Sequence, residues 1–164
     1  MMTACAPLLA FLALAAGVAW AAPRAATAEY LLLPGHGRYK ISANYKTWEA
    51  AKRTCEAEDA HLAVLDSEEE MDAVINMLVR CGIEYTRFDF WTGYYRQDET
   101  GQWTTVIGRW PVGGTGTGYT GWMSGYPNGV RDAACSRLLL TINARGLING
   151  DCTNVGPFIC EKNQ

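Results

Sequence analysis

The sequence predicts one α+β domain: two helices flanking small antiparallel sheets, a long loop region, and disulfide staples. Three observations carry this reading. Helical periodicity occurs twice, both times in the first half of the chain. Short apolar runs divided by turn residues fill the second half. Five cysteines follow an apolar N-terminal stretch that has the form of a secretory leader. At 164 residues, 49% apolar and 19% charged, the chain has the size and composition of a single globular domain.

The leader comes first in the chain. Leu8 to Trp20 is almost wholly Leu, Ala, Phe, Val and Gly, and no charge occurs before Arg24. A run of about 13 residues falls short of the roughly 20 that a membrane-spanning helix needs, so a cleaved signal is expected over a membrane anchor. The n-region lacks Lys and Arg. Two tripeptides suit a signal peptidase, Ala19-Trp20-Ala21 and Ala26-Thr27-Ala28. The expected division is a leader over 1–28 and one domain over 29–164, secreted and extracellular.

The domain elements follow in order. Tyr30 to Leu33 and Arg38 to Ile41 flank Pro34-Gly35-His36-Gly37, a turn between two strands. Thr47 caps a first helix on which Trp48, Ala51 and Cys55 share a face. Leu62 to Leu65 is a brief strand. Ser67-Glu68-Glu69-Glu70 forms a capping box opening a second helix, with Met71, Val74, Ile75 and Leu78 on one face and Gly82 closing it. Phe88 to Tyr94, Trp103 to Ile107, Ser136 to Ile142 and Pro157 to Glu161 read as strands. Gly113 to Gly125, rich in Gly and Thr, has too little apolar surface to pack as an element.

Charge and cysteine usage exclude some functions. The net charge is −3, and the longest like-charge run is Glu68-Glu69-Glu70. Phosphate neutralisation needs clustered Lys and Arg, so nucleic acid is no partner. Outside the cell, Cys55, Cys81, Cys135, Cys152 and Cys160 are disulfide partners with one left over; spacing alone does not assign the pairs. Metal binding by these cysteines is disfavoured because no C-x-x-C occurs and His36 and His61 lie far apart. No Asn-x-Ser/Thr occurs, so N-glycosylation is not expected.

At this point the residues carry a resemblance. Two helices, then Phe90-Trp91-Thr92-Gly93-Tyr94, then a loop region ending in Cys135, Cys152 and Cys160, resemble a C-type lectin-like domain. Trp91-Thr92-Gly93-Tyr94 occupies the place of that family's Trp-Ile-Gly-Leu motif, and Pro157-Phe158-Ile159-Cys160-Glu161 is similar to its closing strand. Tyr39-Lys40-Ile41, Thr47-Trp48, His61-Leu62-Ala63-Val64, Gly101 to Val106 and Gly118 to Trp122 resemble insect hemolymph lipopolysaccharide-binding proteins in particular. The resemblance covers about residues 30–162. It implies the pairs Cys55–Cys160 and Cys135–Cys152 and leaves Cys81 unpaired in the family pattern. Cys81 is then a buried or capped thiol, or else the intermolecular bridge of a homodimer.

The resemblance also implies where a ligand binds. In the family a calcium ion in the loop region holds sugar hydroxyls, using oxygens from a Glu-Pro-Asn or Gln-Pro-Asp triplet, an acid before the loop cysteine, and a Trp-Asn-Asp triplet. Calcium takes about 6–8 oxygens and gains affinity with each carboxylate. Here the triplets read Tyr126-Pro127-Asn128 and Ile148-Asn149-Gly150, with Asp151 before Cys152. A cis peptide before Pro127 fits the pattern. Ala133 stands at the acid's place and Asp132 one position earlier. The candidate calcium ligands are Asn128, Asp132, Asn149 and Asp151, a set expected to bind calcium weakly or to have lost it. The candidate carbohydrate contacts are Tyr126, Asn128, Asn149 and Asp151, although Asn beside Gly is also an ordinary turn residue.

No catalytic constellation emerges. Gly113 to Gly118 lacks the Gly-Lys-Ser/Thr ending of a phosphate loop. His61 opens an apolar strand with no nucleophile motif beside it, and the family carries the same histidine there. Asp98-Glu99 are adjacent in a turn, which does not place two carboxyls across one substrate bond. Trp48 and Trp91 read as core; Trp110, Tyr119, Trp122 and Tyr126 lie in or beside the loop region, with Trp122 assigned to the loop's own core. Two functions are carried forward. One is a secreted pattern-recognition lectin of innate immunity that binds microbial glycan or lipopolysaccharide. The other is a calcium-independent module that binds a protein or lipid partner through the same loops.

Overall fold

The computed structural model describes Thr27 and residues 29–83, 88–97, 102–108 and 119–163. The leader readings over 1–26, and those on Asp98-Glu99, Trp110 and Gly113 to Gly118, lie outside the described residues. The elements are β1 (Leu31–Leu33), β2 (Gly37–Lys46), α1 (Trp48–Glu56), β3 (His61–Leu62), α2 (Glu68–Arg80), β4 (Phe88–Arg96), β5 (Trp103–Thr105), β6 (Cys135–Leu140), β7 (Arg145–Gly150) and β8 (Gly156–Lys162). No helix among the described residues is long and apolar enough to cross a membrane.

Both helices start at the predicted caps. The Thr47 hydroxyl accepts from Ala50 N and the Ser67 hydroxyl from Glu70 N, each satisfying a first-turn donor. The capping box closes differently from the expectation. Glu70 accepts from Asp66 N, one residue before the cap, and also receives the Tyr39 phenol, because the residue is buried and its side chain turns inward. Trp48, Ala51 and Cys55 line the buried face of α1, and Met71, Val74, Ile75 and Leu78 that of α2.

The strands join in one sheet of order β1-β2-β8-β4-β6-β7, with β3 added to β8 and β5 to β4. The expectation of small antiparallel sheets is corrected by the middle of this order, where β8 lies parallel to β4 through Trp91 and Phe158. That contact joins an N-terminal unit closed by the last strand to a C-terminal unit carrying the loops. Strand β3 is shorter than expected. Ala63 to Asp66 leave the ladder yet remain pinned, Ala63 N to Ile159 O, Val64 N to Glu161 and the Leu65 carbonyl to the Tyr94 phenol.

A strand absent from the sequence reading is β7, which pairs with β6 along Cys135↔Gly150 to Leu140↔Arg145. Its outer edge is covered by Gly121 to Met123, with Trp122 bridged to Leu147. The end of the Gly/Thr-rich stretch therefore packs, contrary to expectation. Trp122 meets the Trp103 ring at 4.7 Å and Tyr94 at 6.4 Å, so it packs onto the main core and not, as expected, into a core of the loop's own.

Two disulfides hold these parts together. Cys55–Cys160 ties α1 to β8, and Cys135–Cys152 ties β6 to the turn after β7. Cys81 ends α2 at 5% exposure within the main core and is not a free thiol. This corrects its reading as unpaired. The intermolecular bridge is not carried forward.

The motif Trp91-Thr92-Gly93-Tyr94 sits at the centre of β4. Trp91 is fully buried, donates its indole N–H to Lys46 O at 2.9 Å, and carries the Arg137 guanidinium 3.6 Å above its ring. Arg137 is in turn paired with Asp89 at 2.9 Å. Thr92 shares a 2.6 Å hydrogen bond with Ser136, fixing β4 to β6.

Candidate ligand-binding site

The loop region is displayed from the end of the β6–β7 hairpin that carries the Cys135–Cys152 bridge. Register pairs Cys135 with Gly150 and Ser136 with Asn149, so Asn149 stands one step from that end. Its side chain points across the hairpin edge into the segment 126–133, and the residue is only 6% exposed.

Every polar atom of that side chain is engaged. Asn149 Oδ1 accepts from Asn128 N at 2.8 Å. Its amide nitrogen donates to Asn128 O at 3.1 Å, to Asn128 Oδ1 at 2.9 Å, and to the Ala133 carbonyl at 2.8 Å. Asn128 Oδ1 accepts from Val130 N as well. Asn149 thus does for the loop what a neighbouring strand does for an edge: it satisfies backbone groups that burial would otherwise leave costly.

The other predicted residues fall around this clasp. Tyr126 is half-buried; its backbone N–H bonds Met123 O at 2.9 Å, and its peptide to Pro127 is cis. Asp132 lies on an exposed turn. Asp151 accepts from Thr153 N at 2.8 Å and the Thr153 hydroxyl at 2.7 Å, bonds that hold its carboxyl below the ordinary carboxylate range. The structure brings Asn128 and Asn149 together; among the described residues, neither Asp132 nor Asp151 hydrogen-bonds to that pair.

Sequence reasoning missed the Ala133 carbonyl. Ala133 contributes a backbone oxygen that accepts from Asn149, and nothing in the residue's type could have flagged it. Arg96 was missed too. Its backbone N–H donates to Ala134 O at 2.8 Å and its guanidinium to Arg131 O, tying the far side of the loop to β4. A second concavity lies at the opposite end of the hairpin, an open groove of about 610 Å³ lined by Ile75, Trp122, Met123, Ile142 and Arg145.

The arrangement fits a calcium ion poorly. Both lone-pair positions of Asn128 Oδ1 are taken by N–H donors, and Asn149 Oδ1 already accepts one. A cation bound there would lie against the N–H groups that these oxygens now face. Among the described residues no three His, Cys, Asp or Glu side chains cluster to add negative charge.

Comparison with known proteins identifies the family and the fold. The lectin C-type domain matches residues 44–162. The chain is 30% identical over 127 residues to one subunit of the snaclec coagulation factor IX/factor X-binding protein of Protobothrops flavoviridis, covering 75% of this chain and 76% of that one. It is 26% identical over 132 residues to the hemolymph lipopolysaccharide-binding protein of Periplaneta americana, covering 76% of this chain and 48% of that one. The fold is similar to that of a calcium-independent type II antifreeze protein, with a TM-score of 0.67 at 21% identity over 83% of this chain and 92% of that one.

Proposed function

The chain belongs to the C-type lectin domain family, and from that premise we propose a secreted, non-enzymatic recognition module that engages its ligand at the loop face without calcium. The observation that carries this is the Asn128–Asn149 clasp: the amide oxygens that a metal would need are used to hold the loop. The ligand class we assign is microbial carbohydrate, lipopolysaccharide included, in innate immunity. Its support is the likeness to the cockroach hemolymph protein, together with Tyr126, a half-buried tyrosine two residues before Asn128 of the clasp.

A second reading, a protein ligand, is favoured by the likeness to a factor IX/factor X-binding protein. Tyrosine suits either ligand, because its ring supplies contact area at small entropic cost.

The test is retention of secreted protein on immobilised bacterial lipopolysaccharide and on mannan, followed by EDTA. Retention that EDTA leaves intact and Tyr126→Ala removes is the expected result. Release by EDTA would overturn the calcium-free mode; failure to bind either matrix would move the ligand to the protein class.

A further inference from the structure

Thr27 is built into the sheet. Its backbone N–H donates to Ile41 O at 3.0 Å, its hydroxyl accepts from Ile41 N at 3.0 Å, and the residue is 8% exposed. Ile41 is a fully buried residue of β2, two positions beyond Tyr39, the last β2 residue that β1 pairs. On its other side Ile41 faces Ile159 of β8. One threonine therefore satisfies both backbone groups of a core residue on the edge that β1 leaves uncovered. Without it, a buried donor and a buried acceptor lose their partners together.

The two peptidase tripeptides differ on this point. A cut after Ala26-Thr27-Ala28 removes Thr27 from the domain, whereas a cut after Ala19-Trp20-Ala21 keeps it. We infer that the leader is removed after Ala21, so that the mature chain starts at Ala22 and keeps Thr27 as the hydrogen-bonding cover of Ile41. The inference rests on the reading of the N-terminus as a cleaved signal. It moves the start of the mature domain from Glu29 to Ala22, upstream of the strand that the sequence alone marks as first.

The experiment is expression of the full chain in a eukaryotic secreting cell, with intact-mass and N-terminal sequence analysis of the secreted product. The expected product begins at Ala22, seven residues longer than one beginning at Glu29. A product beginning at Glu29, or one retaining the whole leader, overturns the inference. Chains started at 22 and at 29 are then compared by thermal denaturation. The shorter chain should melt lower by several degrees, and Thr27→Val in the longer chain should give part of that loss by removing the hydroxyl acceptor alone. Equal melting of the two chains would remove the structural basis for the assignment. A loss of binding with processing as expected would instead count against the loop-face reading and leave this one standing.

Discussion

The side chain of Asn149 grips Asn128 from both ends, accepting its backbone N–H at 2.8 Å while donating to its backbone oxygen at 3.1 Å and its side-chain oxygen at 2.9 Å. A fourth bond reaches the Ala133 carbonyl, so one buried amide spans the neck of the loop 128–133. The two side chains that the sequence offers as candidate ligands are here turned on each other.

The consequence is structural. Asn149→Ala takes the side-chain partner from the Asn128 backbone and from the buried Ala133 carbonyl, and should cost about 1–3 kcal/mol. Asn149→Asp keeps the acceptor but loses both N–H donors, placing a carboxylate against the Ala133 and Asn128 oxygens; it should be at least as damaging at pH 7. Thermal denaturation of both variants checks this. Adding calcium should raise the melting temperature of neither variant nor of the parent, and a calcium-dependent rise in the parent would show a working metal site.

Gly93 tests the centre of the fold. A Cβ there would lie 2.5 Å from the Leu62 carbonyl and under 3 Å from Val64 and Val106, because β3 and the turn after β5 both close onto β4 at this point. The carbonyl is backbone and cannot swing away. Gly93→Ala should destabilise by about 1–3 kcal/mol through overpacking. Gly129→Ala is the internal control, since a Cβ added there would meet nothing within 4 Å. There the loss of unfolded-state freedom should leave stability unchanged or raised by up to about 1 kcal/mol. Urea denaturation of the pair separates these outcomes.

These two sites also mark what the sequence discloses. Both helices were legible because caps and apolar periodicity agree, and the family motif located Gly93. The disulfide pairs came from the resemblance and not from spacing. Strand β7 was not legible. Arg145-Gly-Leu-Ile-Asn-Gly carries two glycines and no polar alternation, since its inner residues are covered on more than one side. Gly146 in particular is required by the approach of Met123, whose Cγ would sit 2.8 Å from a Cβ. The sequence offers Asn128 and Asn149 as candidate ligands, and the structure places them in contact with each other. Their partners are backbone groups of Ala133 and Asn128, and a backbone oxygen leaves no trace in composition.

Glu70 predicts a pH dependence. Burial between β2 and the start of α2 pushes its carboxyl from 4.5 up to about 7, with Glu161 and Asp66 adding repulsion and the Tyr39 phenol and Asp66 N opposing it. The folded state therefore holds a proton that the unfolded chain releases near pH 4.5. Stability from this group is full below that value and is lost as pH rises through about 7. Glu70→Gln keeps an acceptor for Asp66 N with no charge to desolvate. Its melting temperature should vary less than the parent's between pH 5 and 8, and the variant should gain on the parent at the alkaline end. Parallel melting curves across that range would show that the carboxyl stays ionised in the folded state.

The two bridges should differ in what their loss does. Cys55–Cys160 closes a separation of 105 residues and joins α1 to the last strand, so it constrains nearly the whole domain in the unfolded state. Cys135–Cys152 closes 17 residues within the loop-bearing hairpin. Chain-entropy arithmetic gives about 4.7 kcal/mol for the long closure and about 3 kcal/mol for the short one. The larger loss falls on a core that also has hydrogen bonds between β2, β3 and β8 to hold it. The smaller falls on the strand that presents Asn149, next to a loop held by few side chains. Replacing Cys135 and Cys152 by serine should therefore leave a folded domain with weakened ligand retention and faster amide exchange at residues 126–133. Replacing Cys55 and Cys160 should lower the melting temperature further and open the domain as a whole. Hydrogen exchange resolved by segment distinguishes local from global opening, and equal exchange across the two variants would show that the hairpin bridge has no special hold on the site.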